Sequence, residues 1–489
     1  MPAPHTIIIG AGIGGLTTAA LLLQAGQRVT VLESHVYPGG SAGTFYNRGY
    51  RFDAGATLAG GFSAGGPHAR LAERLGLTWP VQAVDPAWVT HLPGLSVTQW
   101  SDPERWREER QRAFPGTEPF WKLQERLAGL AWDISSRYFP WPPQNLHDAG
   151  ALVRAIRPPT LLGAPYLLSS IASISPRRAP AAFYPFLDAQ LLISAQTVAR
   201  QASALYGSAA LDLPRRGVNA VRTGIGGLAQ TLVSWIRTNG GTVYFRQQVD
   251  RIELRAGKAA GVHTTKGLEL SCDNLVANLT PWGLAELLDE QAPELLRKEI
   301  KRRSPTWGAF ILYLGLQESL LPPGTPDHHQ VIVDPGKPLG EGNSVFISLS
   351  DPTDVTRAPA GMRAATLSTH TSVAGWWKVA REDPQAYAAR KAEYTERVLD
   401  AAERALPGLR KAVRLSLPGT PLTFQFYTRR PLGMVGGFPQ TSLLRARGPW
   451  TGVPNLWLVG DSVFPGQSTA GTTFGGWRVA EAVLRASAA

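Results

Sequence analysis

The residues with the clearest chemistry are the glycines of Gly10-Ala11-Gly12-Ile13-Gly14-Gly15. They follow an apolar, β-branched run, Thr6-Ile7-Ile8-Ile9, of the kind that makes a buried parallel strand. Leu16 to Ala25 then reads as a helix stopped by Gly26, and Arg28-Val29-Thr30-Val31-Leu32 as a second strand ending at Glu33. Each part of this βαβ unit has a task. Gly10 permits a tight turn, Gly12 lets a pyrophosphate approach the backbone, and Gly15 lets helix and strand pack closely. Ile13 and Gly14 lie at the helix start, where free N–H groups and the helix dipole favour phosphate. Glu33 can accept hydrogen bonds from both ribose hydroxyls of an adenosine, and its charge disfavours a 2′-phosphate. A glycine-rich turn alone is weak; with strand, helix and acid around it, it reads as a dinucleotide site.

Further segments narrow the dinucleotide. Pro38-Gly39-Gly40-Ser41-Ala42-Gly43-Thr44 follows the second strand, and Phe52-Asp53-Ala54-Gly55-Ala56-Thr57 comes next. Near the end stand Leu456-Trp457-Leu458-Val459-Gly460-Asp461-Ser462 and Gly471-Thr472-Thr473. In this order they resemble the amine-oxidase and phytoene-desaturase superfamily of FAD enzymes. The resemblance implies FAD held by Gly10, Gly12, Ile13, Gly14, Gly15, Glu33, Gly40, Ser41, Thr57, Gly460, Asp461, Thr472 and Thr473. Asp461 would face the ribitol hydroxyls, and a helix near Thr472 to Ala482 would direct its positive end at the flavin or the phosphates. Many members carry Arg where this chain has Ser41, which puts that ion pair with the phosphates in doubt.

A second glycine-led unit runs from Gly224-Ile225-Gly226-Gly227-Leu228 through a helix to about Thr238. Strands at Thr242-Val243-Tyr244-Phe245 and from Val249 to Leu254, a turn at Lys266-Gly267 and a closing strand Leu275-Val276-Ala277-Asn278 follow. The superfamily has such a second pass, in which the counterpart of Val249 contacts adenine through its backbone. The tail Gly460 to Ser468 looks more like carotenoid desaturases and carotene isomerases than like monoamine oxidases. The stretches Phe186 to Leu192, Ser203 to Gly207, Thr423 to Pro431 and Gly433 to Pro439 are similar to carotenoid 3′,4′-desaturases.

The elements that must position these residues give an α/β class: a Rossmann-like FAD-binding domain, a discontinuous mixed α+β substrate domain and a helical, membrane-associated cap. The expected division is FAD-binding 1–75, 210–300 and 421–489, a substrate/helical cap region 76–209 and substrate domain 301–420. The 489 residues are 44% hydrophobic and 18% charged, which suits globular domains. No apolar run reaches the roughly 20 residues that cross a bilayer, and the start lacks a signal-peptide pattern.

The formal charge of +12 fits an anionic membrane surface better than nucleic acid, for which no motif is present. Residues 152–192 carry Arg154, Arg157, Arg177 and Arg178 among apolar residues broken by prolines, and read as short interfacial helices or as a helical cap packed on the protein's own core. Trp132, Tyr138, Phe139 and Trp141 read as interfacial anchors or as core. Cys272 is the sole cysteine, so neither a disulfide nor a cysteine metal cluster is expected, and no metal is assigned. His328-His329 reads as a surface loop, His370 as a satisfied core or surface histidine, and Asp53 as a turn residue. No Gly-x-Ser-x-Gly elbow supports a hydrolase.

The resemblance implies desaturation of a C–C bond beside a polyene, at the 3′,4′ position of a hydroxylated acyclic carotenoid end, by hydride transfer to the flavin N5. The polyene would delocalise the resulting cation, so no catalytic base is assigned. Oxygen or a membrane quinone would take the electrons, at the inner face of the cell membrane in the cytoplasm. The alternatives are a carotene cis–trans isomerase or saturase on the same fold, and a non-catalytic carotenoid carrier.

Overall fold

In a computed structural model, residues 3–137, 139–143 and 146–488 are described. Tyr138, one of the expected anchors, lies outside them. The first βαβ unit forms as the sequence dictates. Strands His5–Ile9 and Arg28–Leu32 flank the helix Ile13–Gln24, so Gly14 and Gly15 sit inside its first turn. These strands belong to a five-stranded parallel sheet ordered Thr242–Tyr244, Arg28–Leu32, His5–Ile9, Asn274–Ala277 and Leu456–Leu458. Three stretches far apart in sequence thus build one sheet. Ile13–Gln24 is buried almost throughout, packed between the helices Gly226–Thr238 and Ser468–Ala488. Strands Val249–Arg255, Lys258–Thr264 and Glu269–Ser271 form an antiparallel meander beside it.

The second domain is a seven-stranded sheet in the order Val413–Gly419, Trp307–Gln317, Met362–Ser372, Ser344–Leu349, His328–Ile332, Trp88–Leu92 and Leu95–Gln99. All neighbours are antiparallel except His328–Ile332 with Trp88–Leu92. Side chains alternate across a strand, and the long strand Trp307–Gln317 uses both faces. Phe310, Leu312, Leu314 and Leu316 join a core with Val398 and Leu399 of the helix Pro384–Ala405. Ala309, Ile311 and Tyr313 face Tyr50 and Phe52 on the other side.

Several expectations need correction. Residues 76–209 contain strands as well as helices. Val81–Val84 pairs with Val218–Val221, and the hairpin Trp88–Leu92/Leu95–Gln99 extends the substrate sheet. Phe183–Ala195 is a core helix, apolar on every side, rather than an interfacial one. Phe139 is buried under Arg478, Trp141 donates to the Leu443 carbonyl at 3.1 Å, and Trp132 packs between Arg216 and Phe474. Of the two readings open for these rings, Phe139 takes the core one, while Trp132 and Trp141 are half-buried. His328 and His329 lie on a buried strand, not a loop; His328 meets Ser348 and His329 meets His91. Among the described residues no helix is long and apolar enough to cross a membrane.

Asp53 ties distant segments together. Its carboxylate accepts from the Thr44 hydroxyl (2.8 Å), the Ile225 N–H (2.8 Å) and the Arg357 guanidinium (2.9 Å). Both members of the Asp53–Arg357 pair are buried. Removing one charge leaves the other stranded, so Asp53→Ala is expected to cost about 3–5 kcal/mol of stability. Urea unfolding checks this, and a loss below about 1 kcal/mol would show that the pair is dispensable.

Candidate functional site

A cavity of about 800 Å³ opens between the parallel sheet and the seven-stranded sheet. Gly10, Gly12, Ile13, Gly14, Glu33, Gly40, Ser41, Thr57, Val249, Gly460, Asp461 and Thr472 all line it. The chain therefore brings twelve of the expected residues, drawn from its start, middle and end, to one wall.

The glycine turn is built as its spacing requires. Gly10 has φ +90°, a left-handed conformation that favours glycine, and its N–H donates to the Leu32 carbonyl at 2.8 Å. Gly15 is not on the lining. A Cβ there would stand 2.6 Å from the Gly10 carbonyl oxygen, so its role is the close packing of helix and strand. Asn278, at the end of Asn274–Ala277, fills the space beneath the turn. Its Oδ1 accepts from the Gly15 N–H at 3.2 Å, and a Cβ on Gly12 would come within 2.3 Å of its Nδ2.

Glu33 already holds protein donors. Oε2 accepts from the Ala11 N–H at 2.7 Å, and Oε1 accepts from the His35 N–H at 2.8 Å and the Ser34 hydroxyl at 3.2 Å. It thus braces the glycine turn. A carboxylate has about four acceptor positions, so capacity remains for a ribose hydroxyl. The Gln247 N–H donates to the Glu33 carbonyl at 2.9 Å, which brings the start of the Val249 strand beside it.

At the other end, Asp461 is held by Arg430 at 2.9 Å, and Arg430 also donates to the carbonyls of Met434 and Gly436. The C-terminal helix begins at Ser468, earlier than the sequence signals place it. Thr472 consequently lies one turn in, its hydroxyl donating to the Ser468 and Thr469 carbonyls. Thr473 is rotated off the lining by the 3.6-residue period; it is buried beside His68 and takes no part in the cavity wall.

Several lining residues were given no site role from the sequence: Asn278, Arg430, Gln467, Thr469 and Gln196. A polar residue just past a buried strand was the available signal for Asn278. His370 is partly buried on the cavity wall, and desolvation pushes its pKa down to about 4.

FAD fits this wall. Ser41 Oγ, Gln467 Nε2 and Thr469 Oγ1 are buried on it without hydrogen-bond partners, an unusual state in a folded interior. A ligand rich in phosphate and hydroxyl oxygens supplies the partners they lack. Ser41 offers a neutral hydroxyl on this wall.

Parallel sheet, glycine turn and two-sheet cavity together define a two-domain dinucleotide-binding flavoprotein. The model of the family described as flavin containing amine oxidoreductase matches residues 13–484, and the chain belongs to that family. It is an FAD-dependent oxidoreductase. Prolycopene isomerase of Arabidopsis thaliana chloroplasts is 30% identical to it, over 96% of this chain and 81% of that protein. Phytoene desaturase (neurosporene-forming) of Cereibacter sphaeroides is 24% identical, over 96% of this chain and 92% of its own. Among solved structures, an oxidoreductase from Methanosarcina mazei shares the fold with a TM-score of 0.66 at 18% identity, over 98% of this chain and 100% of that one.

Proposed function

We propose that the chain desaturates a carotenoid at a C–C single bond next to the polyene, at the 3′,4′ position of a hydroxylated acyclic end. The observation that carries this is the wall facing the glycine turn. Trp88, Ile193, Leu213, Ile311, Tyr313 and Phe346 line the cavity with Ser194, Ser368, Thr369 and the neutral His370, and its charged lining residues are Glu33, Glu286, Arg429, Arg430 and Asp461. The apolar share of this lining suits a long hydrocarbon. The similarity to proteins named for prolycopene and phytoene supports the same substrate class.

The nucleotide of FAD would be held by the lining glycines, Glu33, Ser41 and Val249, and its flavin half by the region of Asp461, Thr469 and Thr472. Bound FAD supplies the two-electron redox chemistry. The chain's own task is to orient the polyene and exclude water. A conjugated cation needs no strong base beside it, so none of the lining carboxylates is assigned as one.

A second, smaller apolar cavity shares Ser194, Leu213, Gln467 and Ser468 with the first. Leu205 lines it and packs with Tyr166 and Leu167. Those two belong to a stretch whose outer residues are exposed: Leu146 (92%), Leu161, Leu162 and Leu168 (86%), with Arg154 and Arg157 also at the surface. This stretch supports docking on an anionic membrane, from which a carotenoid would enter through the smaller cavity. Replacing Leu146, Leu161 and Leu168 together by Ser is expected to lower vesicle binding about a hundredfold. Flavin content should not change. Unchanged co-sedimentation with phosphatidylglycerol vesicles would overturn the docking face.

The reaction is tested by anaerobic addition of a hydroxylated acyclic carotenoid. Bleaching of the oxidised flavin and a product two hydrogens lighter, with longer conjugation, are expected. The 30% identity to a prolycopene isomerase favours one alternative, cis–trans isomerisation. A product of unchanged mass, formed only with reduced flavin, would replace the desaturase reading with that one.

A further inference from the structure

We propose that Gln196 and His370 form a hydrogen-bonding subsite that recognises a hydroxyl group on the otherwise apolar substrate. The inference rests on the carotenoid reading above and assigns residues to substrate selection.

Gln196 caps the C-terminus of the apolar helix Phe183–Ala195 in a left-handed conformation, φ +56°. It is 6% exposed and lines the main cavity, yet its Oε1 has no partner. Its Nε2 lies 3.3 Å from His370 Nε2. A buried amide oxygen left unpaired is costly, so its presence on a cavity wall points to a ligand group. A glycine lets the chain pack against this amide and hold it in place. A Cβ on Gly436, whose φ is +68°, would stand 2.7 Å from Gln196 Cδ.

The pair comes from the substrate side: a helix of the apolar core and the strand Met362–Ser372, not from the glycine turn or the C-terminal helix. Both groups are uncharged, since burial holds His370 far below its ordinary pKa. The site therefore selects a neutral polar group. Turning the amide over would direct Oε1 at His370 and leave Nε2 free. A hydroxyl both donates and accepts, so it pairs with either orientation; a ketone or ether pairs with only one.

The test compares a hydroxylated acyclic carotenoid with its deoxy counterpart, on wild type, Gln196→Leu and His370→Phe, all as FAD-loaded protein. Binding is read by quenching of tryptophan fluorescence and flavin content by absorbance. Gln196→Leu is expected to weaken binding of the hydroxylated compound about tenfold to hundredfold, while the deoxy compound changes less than about threefold. His370→Phe should shift the same comparison in the same direction, and carries the test if the leucine variant does not fold. An equal loss for both compounds, or loss of flavin from a folded variant, overturns the subsite, as does a wild type indifferent to the hydroxyl. A wild type that prefers the hydroxylated compound yet oxidises neither overturns the desaturase reading and leaves the subsite standing.

Discussion

Gly12→Val is expected to purify folded but nearly colourless, with FAD affinity lowered roughly a hundredfold, about 2.7 kcal/mol. Backbone strain is not the cause. Gly12 has φ −77° and ψ 167°, an extended conformation open to any residue. The cause is space. A Cβ there meets Asn278 Nδ2 at 2.3 Å, and that neighbour is a side chain that can turn aside. The valine methyls then occupy the approach that a pyrophosphate needs. Gly15→Val makes the contrast, because its Cβ would press on the Gly10 backbone at 2.6 Å, which cannot yield. That variant should lose the fold itself. The flavin-to-protein absorbance ratio and titration of the apoprotein with FAD check the pair. Wild-type flavin content in Gly12→Val would displace the pyrophosphate from this turn.

Steep acid destabilisation is the second expected result. Burial pushes His68 and His328 down to about 3, and His329 to about 4, from an ordinary value of 6.5. For His328 and His329, nearby histidines and arginines add to the effect. The unfolded chain takes up these protons near pH 6.5, whereas the folded chain resists them until far lower pH. Between those limits the unfolded state binds more protons. The stability of the neutral histidines is thus fully present above about pH 6.5 and is lost as pH falls below it. Each histidine contributes about 1.4 kcal/mol per pH unit in that window. Three together remove about 8 kcal/mol between pH 6.5 and 4.5, comparable with the whole stability of many domains. Urea midpoints measured across this range should fall steeply. His328→Asn should flatten the slope by about 1.4 kcal/mol per pH unit. An unchanged slope would mean that His328 is already protonated in the folded chain.

The cofactor wall was more legible in the sequence than the substrate wall. The glycine turn, its strand and helix, and Glu33 lie within thirty or so residues, where turn chemistry and hydrophobic period act locally. The Gly460-Asp461 strand end and the second pass at Val249 were readable through resemblance. Thr472 and Thr473 are neighbours in one helix and point about 100° apart, so the first lines the cavity while the second packs beside His68. The His328-His329 pair misled for another reason. Two polar residues look like a loop until a neighbouring strand covers them, and Trp88–Leu92 does that from over 200 positions away.

By itself, the sequence determined a glycine turn between strand and helix, an acid at the end of the next strand, and an alternating α/β order. Those follow from conformations available to glycine and from short-range periodicity. Only the tertiary structure decided which residues share the cavity. It paired Arg430 with Asp461, set Asn278 under Gly12, and joined Gln196 Nε2 to His370 while leaving Gln196 Oε1 without a partner. Those relations depend on closure between segments hundreds of residues apart, which no local pattern encodes.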